Sequence, residues 1–166
     1  MNELILRLIL RYQKSGILVD TNILLLYFLG GYDPTRITRF KRTAQFVPED
    51  YTLLRSILRR FVRVVTTPNI LTEVSNFSGQ LGEPTRSSYF KKFAEEVCLV
   101  EEHYIRSQEV ARTDEFITFG LTDGAILRLA RGTYLVLTDD LRLYEHLTRL
   151  NLDAVNFNHV RPLGWT

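Results

Sequence analysis

Four acidic side chains occupy positions from which an α/β fold can bring them into one cleft. Asp20 and Asp140 each follow a short apolar run typical of a buried strand, while Glu73 and Asp123 lie in or at the start of helical stretches. In open parallel sheets, ligands bind beyond the carboxyl ends of the strands. If the four acids converge there, the pattern predicts an all-oxygen site for a hard divalent cation, and chemistry on a phosphodiester.

Each of these acids also has a simpler explanation when it is considered alone. Asp20 or Asn22 can cap the helix that the following apolar residues predict. Asp123 can serve as a cap or as a first-turn acid that complements the helix dipole. Glu73 can be an ordinary surface glutamate of a helix. The functional interpretation therefore depends on the set of acids rather than on any single member.

Composition is typical of one globular domain. The chain has 166 residues, of which 45% are apolar and 24% charged, enough for a full core. We expect one domain over residues 1–166, with a packed N-terminal helix at 1–15. Its longest apolar stretch is interrupted by Asp20 and falls short of the ~20 residues of a membrane span, so we expect a soluble, cytoplasmic protein. A single cysteine excludes an intrachain disulfide and a thiolate metal cage.

Positive charge is concentrated in one stretch, between residues 34 and 63. It contains two acids and eight basic residues, a balance of +6: Arg36, Arg39, Lys41, Arg42, Arg55, Arg59, Arg60 and Arg63. Such a stretch can contact nucleic-acid phosphates, or it can be the solvated outer faces of two helices. The spacing of Arg36, Arg39 and Arg42 predicts one helix face, and these three are the first candidates for phosphate contacts.

Strand and helix patterns alternate along the chain. The predicted strands are Gly16–Asp20, Phe61–Thr66, Thr133–Thr138 and Asp153–Phe157. Helical periodicity lies between them, including a basic helical insert at about 32–60 whose first helix carries Ile37, Phe40 and Ala44. Alternation of this kind predicts a parallel sheet covered on both faces. The expected fold is a three-layer α-β-α sandwich with a mainly parallel sheet of four to five strands.

Four short runs resemble, in chain order, the acidic motifs of PIN-domain ribonucleases. They are Leu18-Val19-Asp20-Thr21-Asn22, Thr67-Pro68-Asn69-Ile70-Leu71-Thr72-Glu73-Val74, Leu121-Thr122-Asp123-Gly124-Ala125-Ile126-Leu127 and Val136-Leu137-Thr138-Asp139-Asp140-Leu141. Together they span the chain from about residue 16 to residue 157. Any one run is a weak signal, but four in order at plausible spacing are fairly specific.

The resemblance implies a role for each site residue. Asp20 is expected to be a direct ligand of Mg²⁺ or Mn²⁺, with Asp123 and Asp140 binding the ion or its waters. Glu73, the fourth catalytic acid, is expected to orient a water or a second ion. Thr138 and Asn22 are expected to hydrogen-bond to the carboxylates and fix their geometry without contacting the ion. The motif pattern falls on Thr138 and Asp140, which leaves Asp139 as a neighbour of undefined role.

By the same resemblance, the expected activity is metal-dependent hydrolysis of single-stranded or structured RNA. Toxin ribonucleases of toxin–antitoxin pairs, the VapC-like proteins, share the motifs, which adds an antitoxin or other inhibitory protein and a homodimer to the expected partners. The long insert and the N-terminal fifteen residues depart from that class. The alternative function is a PIN-like module that binds RNA or protein without cutting.

Two other enzyme classes fit the sequence poorly. A metal-independent ribonuclease would need two converging histidines, and His103, His146 and His159 share no motif. A phosphatase of the Asp-x-Asp-x-Thr type would need an acid two residues after Asp20, where the chain has Asn22.

Overall fold

A computed structural model describes residues 3–161, which form eight α-helices around a five-stranded sheet. The strands are β1 (Ile17–Val19), β2 (Val64–Thr66), β3 (Glu101–Glu102), β4 (Leu135–Thr138) and β5 (Ala154–Asn156). The helices are α1 (Glu3–Tyr12), α2 (Thr21–Tyr32), α3 (Pro48–Leu58), α4 (Pro68–Ser78), α5 (Thr85–Val97), α6 (Ser107–Ala111), α7 (Asp114–Leu129) and α8 (Leu141–Arg149). Short 3₁₀ turns lie at Pro34–Arg36 and Phe157–His159.

All five strands run parallel, in the order β3-β2-β1-β4-β5. The chain builds outward from β1 to β2 and β3, and then returns to the other side of β1 to add β4 and β5. The strand order therefore reverses between β1 and β4, and the carboxyl ends of these two strands flank the switch point where open α/β sheets bind ligands. The predicted α/β fold, a three-layer α-β-α sandwich around a parallel sheet, is confirmed.

Burial explains why these short strands form. Every residue of β1 and β4 is buried, as expected for central parallel strands with helices on both faces. Helix α2 is apolar on nearly all sides and lies in the core, with Ile23, Leu24, Leu26 and Leu29 fully inaccessible. The helix that starts directly after β1 is therefore held as firmly as the strand itself.

Two elements differ from the sequence-based expectation. Strand β3 was not predicted, because Glu101 and Glu102 carry no apolar pattern and pair with β2 only through the backbone at the sheet edge. The first predicted helix of the insert is wrong. Asp33 accepts the backbone N–H of Thr35 and holds the chain in a 3₁₀ turn, and consecutive turns follow as far as Gln45. Helix α3 is the insert's α-helix.

The insert is fastened to the end of the described chain by a buried ion pair. Asp50 is fully buried and accepts the Arg161 guanidinium at 2.8 and 2.9 Å. It also accepts the backbone N–H of Val47. Arg161 in turn donates to the carbonyl of Gln45 and lies over the ring of Phe46. Because both charges are paired and hydrogen-bonded, this contact fixes where the insert's turns return to the domain.

Helix α1 is present at Glu3–Tyr12, in agreement with the predicted N-terminal helix. Ile9 and Tyr12 are its buried residues, and the Tyr12 hydroxyl donates to Asp153 just before β5. None of the helices in residues 3–161 is both long and apolar enough to cross a membrane.

Candidate active site

One threonine hydroxyl joins the two strand ends at the switch point. Asp20 follows β1 and Asp140 follows β4 by two residues, and these strands are parallel neighbours. The Thr138 hydroxyl donates to Oδ2 of Asp20 at 2.6 Å and accepts the backbone N–H of Asp140 at 2.9 Å. Thr138 therefore contacts both acidic residues through one hydroxyl group.

Asp20 and Asp140 also cap the helices that follow them. Oδ1 of Asp20 accepts the backbone N–H of Thr21 at the start of α2, and Oδ1 of Asp140 accepts those of Arg142 and Leu143 in α8. The capping explanation thus holds for Asp20, whereas capping by Asp140 was not predicted. Capping engages only Oδ1 of Asp140, and Oδ2 makes no hydrogen bond to any described residue.

Glu73 is held by two threonines that the sequence analysis did not identify. Thr21 donates to its Oε2 at 2.9 Å, and Thr122 donates to its Oε1 at 2.5 Å. These threonines directly adjoin Asp20 and Asp123, so the Glu73 carboxylate lies beside both. Their position next to a predicted acid was the available signal in the sequence.

Asp123 lies in the first turn of the second half of α7. The helix is broken at Gly120, whose φ of 73° and ψ of −164° lie outside the helical region and suit glycine. The pKa of Asp123 is raised to about 7, mainly by burial and in addition by the charges of Asp20, Asp140 and Glu73, while Arg142 opposes them. The four predicted acids are therefore close enough to act on one another electrostatically.

Asp20 is the most buried of the four, with 6% of its surface exposed. Its pKa is raised to about 6, mainly by burial. The negative charges of Asp139 and Asp140 act in the same direction, and hydrogen bonds from Thr138 and Thr21 offset part of the rise. At neutral pH the site therefore concentrates negative charge in a poorly solvated place.

Asp139, whose role the sequence left undefined, connects the strand end to the insert. Its Oδ2 accepts the side-chain amides of Asn22 at 3.3 Å and Gln45 at 2.8 Å. Its Oδ1 is buried and lacks a hydrogen-bond partner among the described residues. Burial also raises the pKa of Asp139. Asn22 therefore supports Asp139 rather than Asp20.

The donor set fits a hard cation in its chemistry. All the groups are carboxylate or hydroxyl oxygens, as Mg²⁺ and Mn²⁺ prefer. The unpartnered Oδ1 of Asp139 and the mutual repulsion of the acids both favour a positive charge nearby. Within residues 3–161, however, no three His, Cys, Asp or Glu side chains stand close enough together to hold a metal ion as they are. Coordination by three acids requires their side chains to move inward.

The basic residues of the 34–63 stretch lie in two places, some near the carboxyl ends of the strands and others at the amino ends. The guanidinium of Arg42 lies over the ring of Phe77, 4.1 Å from the ring centroid. Phe77 is one helical turn from Glu73 on α4. Arg39 is exposed and forms no ion pair with the described residues, whereas Arg36 pairs with Asp33 at 3.1 Å. Because the first helix is absent, these arginines do not share a helix face.

The later arginines of the stretch lie away from the acids. Arg59, Arg60 and Arg63 lead into the amino end of β2, at the opposite edge of the sheet. Arg63 pairs there with Glu101. Of the basic stretch, these arginines are therefore not placed to contact a phosphate bound at the acids.

The three histidines occupy separate surroundings. His103 contacts Glu101 and the Tyr134 hydroxyl. His146 packs on Phe119, and His159 packs edge-on against Tyr144. This arrangement supplies no histidine pair for metal-independent cleavage.

In comparisons with known proteins, no family model matches this chain and no curated protein matches it. The resemblance to PIN-domain ribonucleases therefore stays a prediction from the four motifs.

The raised pKa of Asp123 predicts a pH-dependent cost to stability in the absence of metal. Above about pH 4 the unfolded chain ionises this acid first, so stability falls until the folded pKa of about 7 is passed. Asp123→Asn should therefore have a higher free energy of unfolding than the parent at pH 8, by up to roughly 4 kcal/mol, with the difference vanishing near pH 4. Urea titrations in EDTA at pH 4, 6 and 8 measure this.

The matched control is Glu145→Gln, which neutralises an exposed acid on α8. Its effect on stability should change little over the same pH range. An Asp123→Asn effect that stays constant from pH 4 to pH 8 would show that this carboxylate is not held in a repelling, buried cluster.

Proposed function

We propose that this protein is a metal-dependent endoribonuclease that hydrolyses phosphodiester bonds of single-stranded or structured RNA. The proposal is carried by one observation: four carboxylates that act on one another electrostatically lie at the switch point of a parallel sheet, where Asp20 and Asp123 have raised pKa values. Buried acids kept together at a loss of stability are typical of functional sites.

Asp20, Asp123 and Asp140 are the residues that would hold Mg²⁺ or Mn²⁺. When bound, such an ion supplies a nucleophilic water at neutral pH and stabilises charge at the reacting phosphorus. Attack of that water on phosphorus with cleavage of the P–O3′ bond would leave a 5′-phosphate and a 3′-hydroxyl. Because the 2′-hydroxyl is not the nucleophile, selectivity for RNA comes from binding.

The surrounding side chains orient the acids. The Thr138 hydroxyl fixes one oxygen of Asp20, and the N–H of Thr21 fixes the other. Glu73 is clamped by two threonine hydroxyls, which hold both of its oxygens in the cleft and suit it to orient a water. Asp139, braced by Asn22 and Gln45, adds negative charge behind Asp20.

The first half of the insert is suited to contact RNA phosphates. The Gln45 amide touches Asp139, and Arg42 stacks on α4 one turn from Glu73, so the insert borders the carboxylates. Arg39 and Arg42 are exposed residues without an ion pair among the described residues, whereas Arg36 is partly neutralised by Asp33. We therefore assign the main phosphate contacts to Arg39 and Arg42, with Arg36 in a lesser role.

The second candidate function is a PIN-like module that binds RNA or protein without cutting it. It is favoured by the spacing of the acids, since no three described His, Cys, Asp or Glu side chains lie close enough together to hold an ion as they are. A toxin role, an antitoxin or other inhibitory partner, and a homodimer rest on the motif resemblance alone.

The nuclease proposal predicts that cleavage of single-stranded RNA requires Mg²⁺ or Mn²⁺. Asp20→Asn should reduce cleavage to background, because the substitution removes a charged ligand. It should leave the unfolding temperature unchanged or raise it, because Asn still caps a helix and one repelling charge is lost. Gel assays with end-labelled RNA, run beside thermal unfolding, measure both effects.

Glu145→Gln, an exposed acid outside the site, should cut RNA at the parent rate. Undiminished cleavage in EDTA, or by Asp20→Asn, would rule out the metal mechanism. RNA binding with no cleavage under any metal would favour the non-cutting module.

The insert proposal predicts a change in the salt dependence of RNA binding. Replacing both Arg39 and Arg42 with Ala should weaken binding and flatten the logarithmic salt slope by about 1.4, since each single-strand phosphate contact contributes about 0.7. Adding Arg36→Ala should change the slope by less than a further 0.7. Fluorescence anisotropy at several salt concentrations gives the slope.

The matched control replaces Arg60 and Arg131 with Ala, because both precede strands at the opposite edge of the sheet. That variant should keep the parent slope. A parent-like slope for the Arg39 and Arg42 variant would mean that the insert is only a solvated face.

A further inference from the structure

A second cleft opens beside the carboxylates, at the carboxyl ends of β2 and β3. It has a volume of about 450 Å³ and is lined by the start of α4, the loop after β3 and the middle of α7. We call it the Tyr104 cleft, after its most exposed aromatic side chain. A volume of this size is within the range of small-ligand sites.

The Tyr104 cleft is continuous with the candidate active site. Glu73 and Thr122 both line it, and Thr122 donates to the Glu73 carboxylate and precedes Asp123 in the chain. A ligand in this cleft would therefore lie directly next to the acids. A strand of nucleic acid positioned for cleavage would have to pass close to it.

The lining combines one aromatic ring with side chains that are neutral apart from Glu73. Tyr104 is 73% exposed, and its ring and hydroxyl have no stacking or hydrogen-bond partner among the described residues. Asn69, Thr72 and Ser107 contribute polar side chains that likewise make no hydrogen bond within residues 3–161. They offer an amide and two hydroxyls, which both donate and accept hydrogen bonds.

The Tyr104 cleft differs in charge from the groove between α7 and α8. Glu73 is its only charged residue among the described lining residues, so a phosphate group would be repelled. The groove between α7 and α8 is instead lined by Arg142, His146 and Arg149 together with two acids. The Tyr104 cleft therefore suits a neutral, planar group with hydrogen-bonding edges.

We propose that the Tyr104 cleft binds one unstacked nucleobase of the RNA strand, adjacent to the cleaved phosphodiester. The base stacks on the exposed ring of Tyr104, and its edge hydrogen-bonds to the side chains of Asn69, Thr72 and Ser107. Recognition of splayed bases by aromatic stacking and edge contacts is a common mode of RNA binding. This inference rests on the proposed nuclease function and makes the cleft a determinant of sequence preference.

The test measures RNA affinity in the full chain carrying Asp20→Asn, in EDTA, so that cleavage does not interfere. Tyr104→Ala should weaken binding of a single-stranded RNA by roughly 5- to 160-fold, the range that corresponds to losing about 1–3 kcal/mol of base–aromatic stacking. Tyr104→Phe should bind nearly as well as the parent, because it keeps the ring. Ile117→Ala, at a side chain 90% exposed on α7 outside the cleft, is the matched control and should leave affinity unchanged.

A second substrate separates base stacking from a merely structural effect. An oligonucleotide of the same length built from abasic ribose phosphates offers no base to stack. It should therefore bind equally well to the Tyr104→Ala variant and to the protein that keeps Tyr104. Parent-like RNA affinity for Tyr104→Ala, failure of Phe to rescue, or an equal loss on the abasic strand would overturn the proposal.

The outcomes also separate this inference from the nuclease proposal. RNA cleavage by the parent, combined with unchanged binding by Tyr104→Ala, overturns the base site alone. Binding that depends on the Tyr104 ring, without cleavage under any metal, supports the base site and contradicts the nuclease. Failure of the parent to bind RNA overturns both.

Discussion

Parallel pairing of β1 with β4 is the constraint on which the candidate site depends. These strands are separated by more than a hundred residues, yet their register places Asp20 beside Thr138. Both strands are packed by helices on both faces, and the backbone N–H of Asp20 donates to the carbonyl of Leu137 at 3.0 Å, so close packing and the hydrogen-bond ladder together fix this register. The core thus fixes the positions of Asp20 and Asp140 with the precision of the sheet, and Glu73 and Asp123 follow from the helices packed beside it.

The buried acids of the site lower the stability of the folded protein at neutral pH. Asp20 and Asp123 lie where burial and neighbouring negative charges raise their pKa values to about 6 and about 7. Hydrogen bonds from Thr138 and Thr21 partly stabilise the charged form of Asp20, whereas Asp123 receives no such bond from the described residues. A cation would relieve the repulsion, which gives a physical reason for the acids to be near one another.

Much of this arrangement could be predicted from the sequence, because buried strands and the acids that end them leave a strong local pattern. The α/β fold, four of the strands and the exits of β1 and β4 follow from that pattern. The 33–46 turns did not, since Ile37 and Phe40 are buried at helix-like spacing although Asp33 holds the backbone in a 3₁₀ turn. The threonine clamp on Glu73 and the Gln45–Asp139 contact join residues far apart in the chain, and single-sequence periodicity carries no information about such pairs.

Anomalous diffraction from crystals soaked in Mn²⁺ tests the central claim most directly. The account predicts a peak between Asp20 and Asp123, with carboxylate oxygens about 2 Å from the ion and the side chains drawn inward from their present positions. The same soak of Asp20→Asn crystals should show a weaker peak or none. Parent crystals without a peak at these acids, at millimolar Mn²⁺ and pH 8, would contradict the metal-dependent reading of the site.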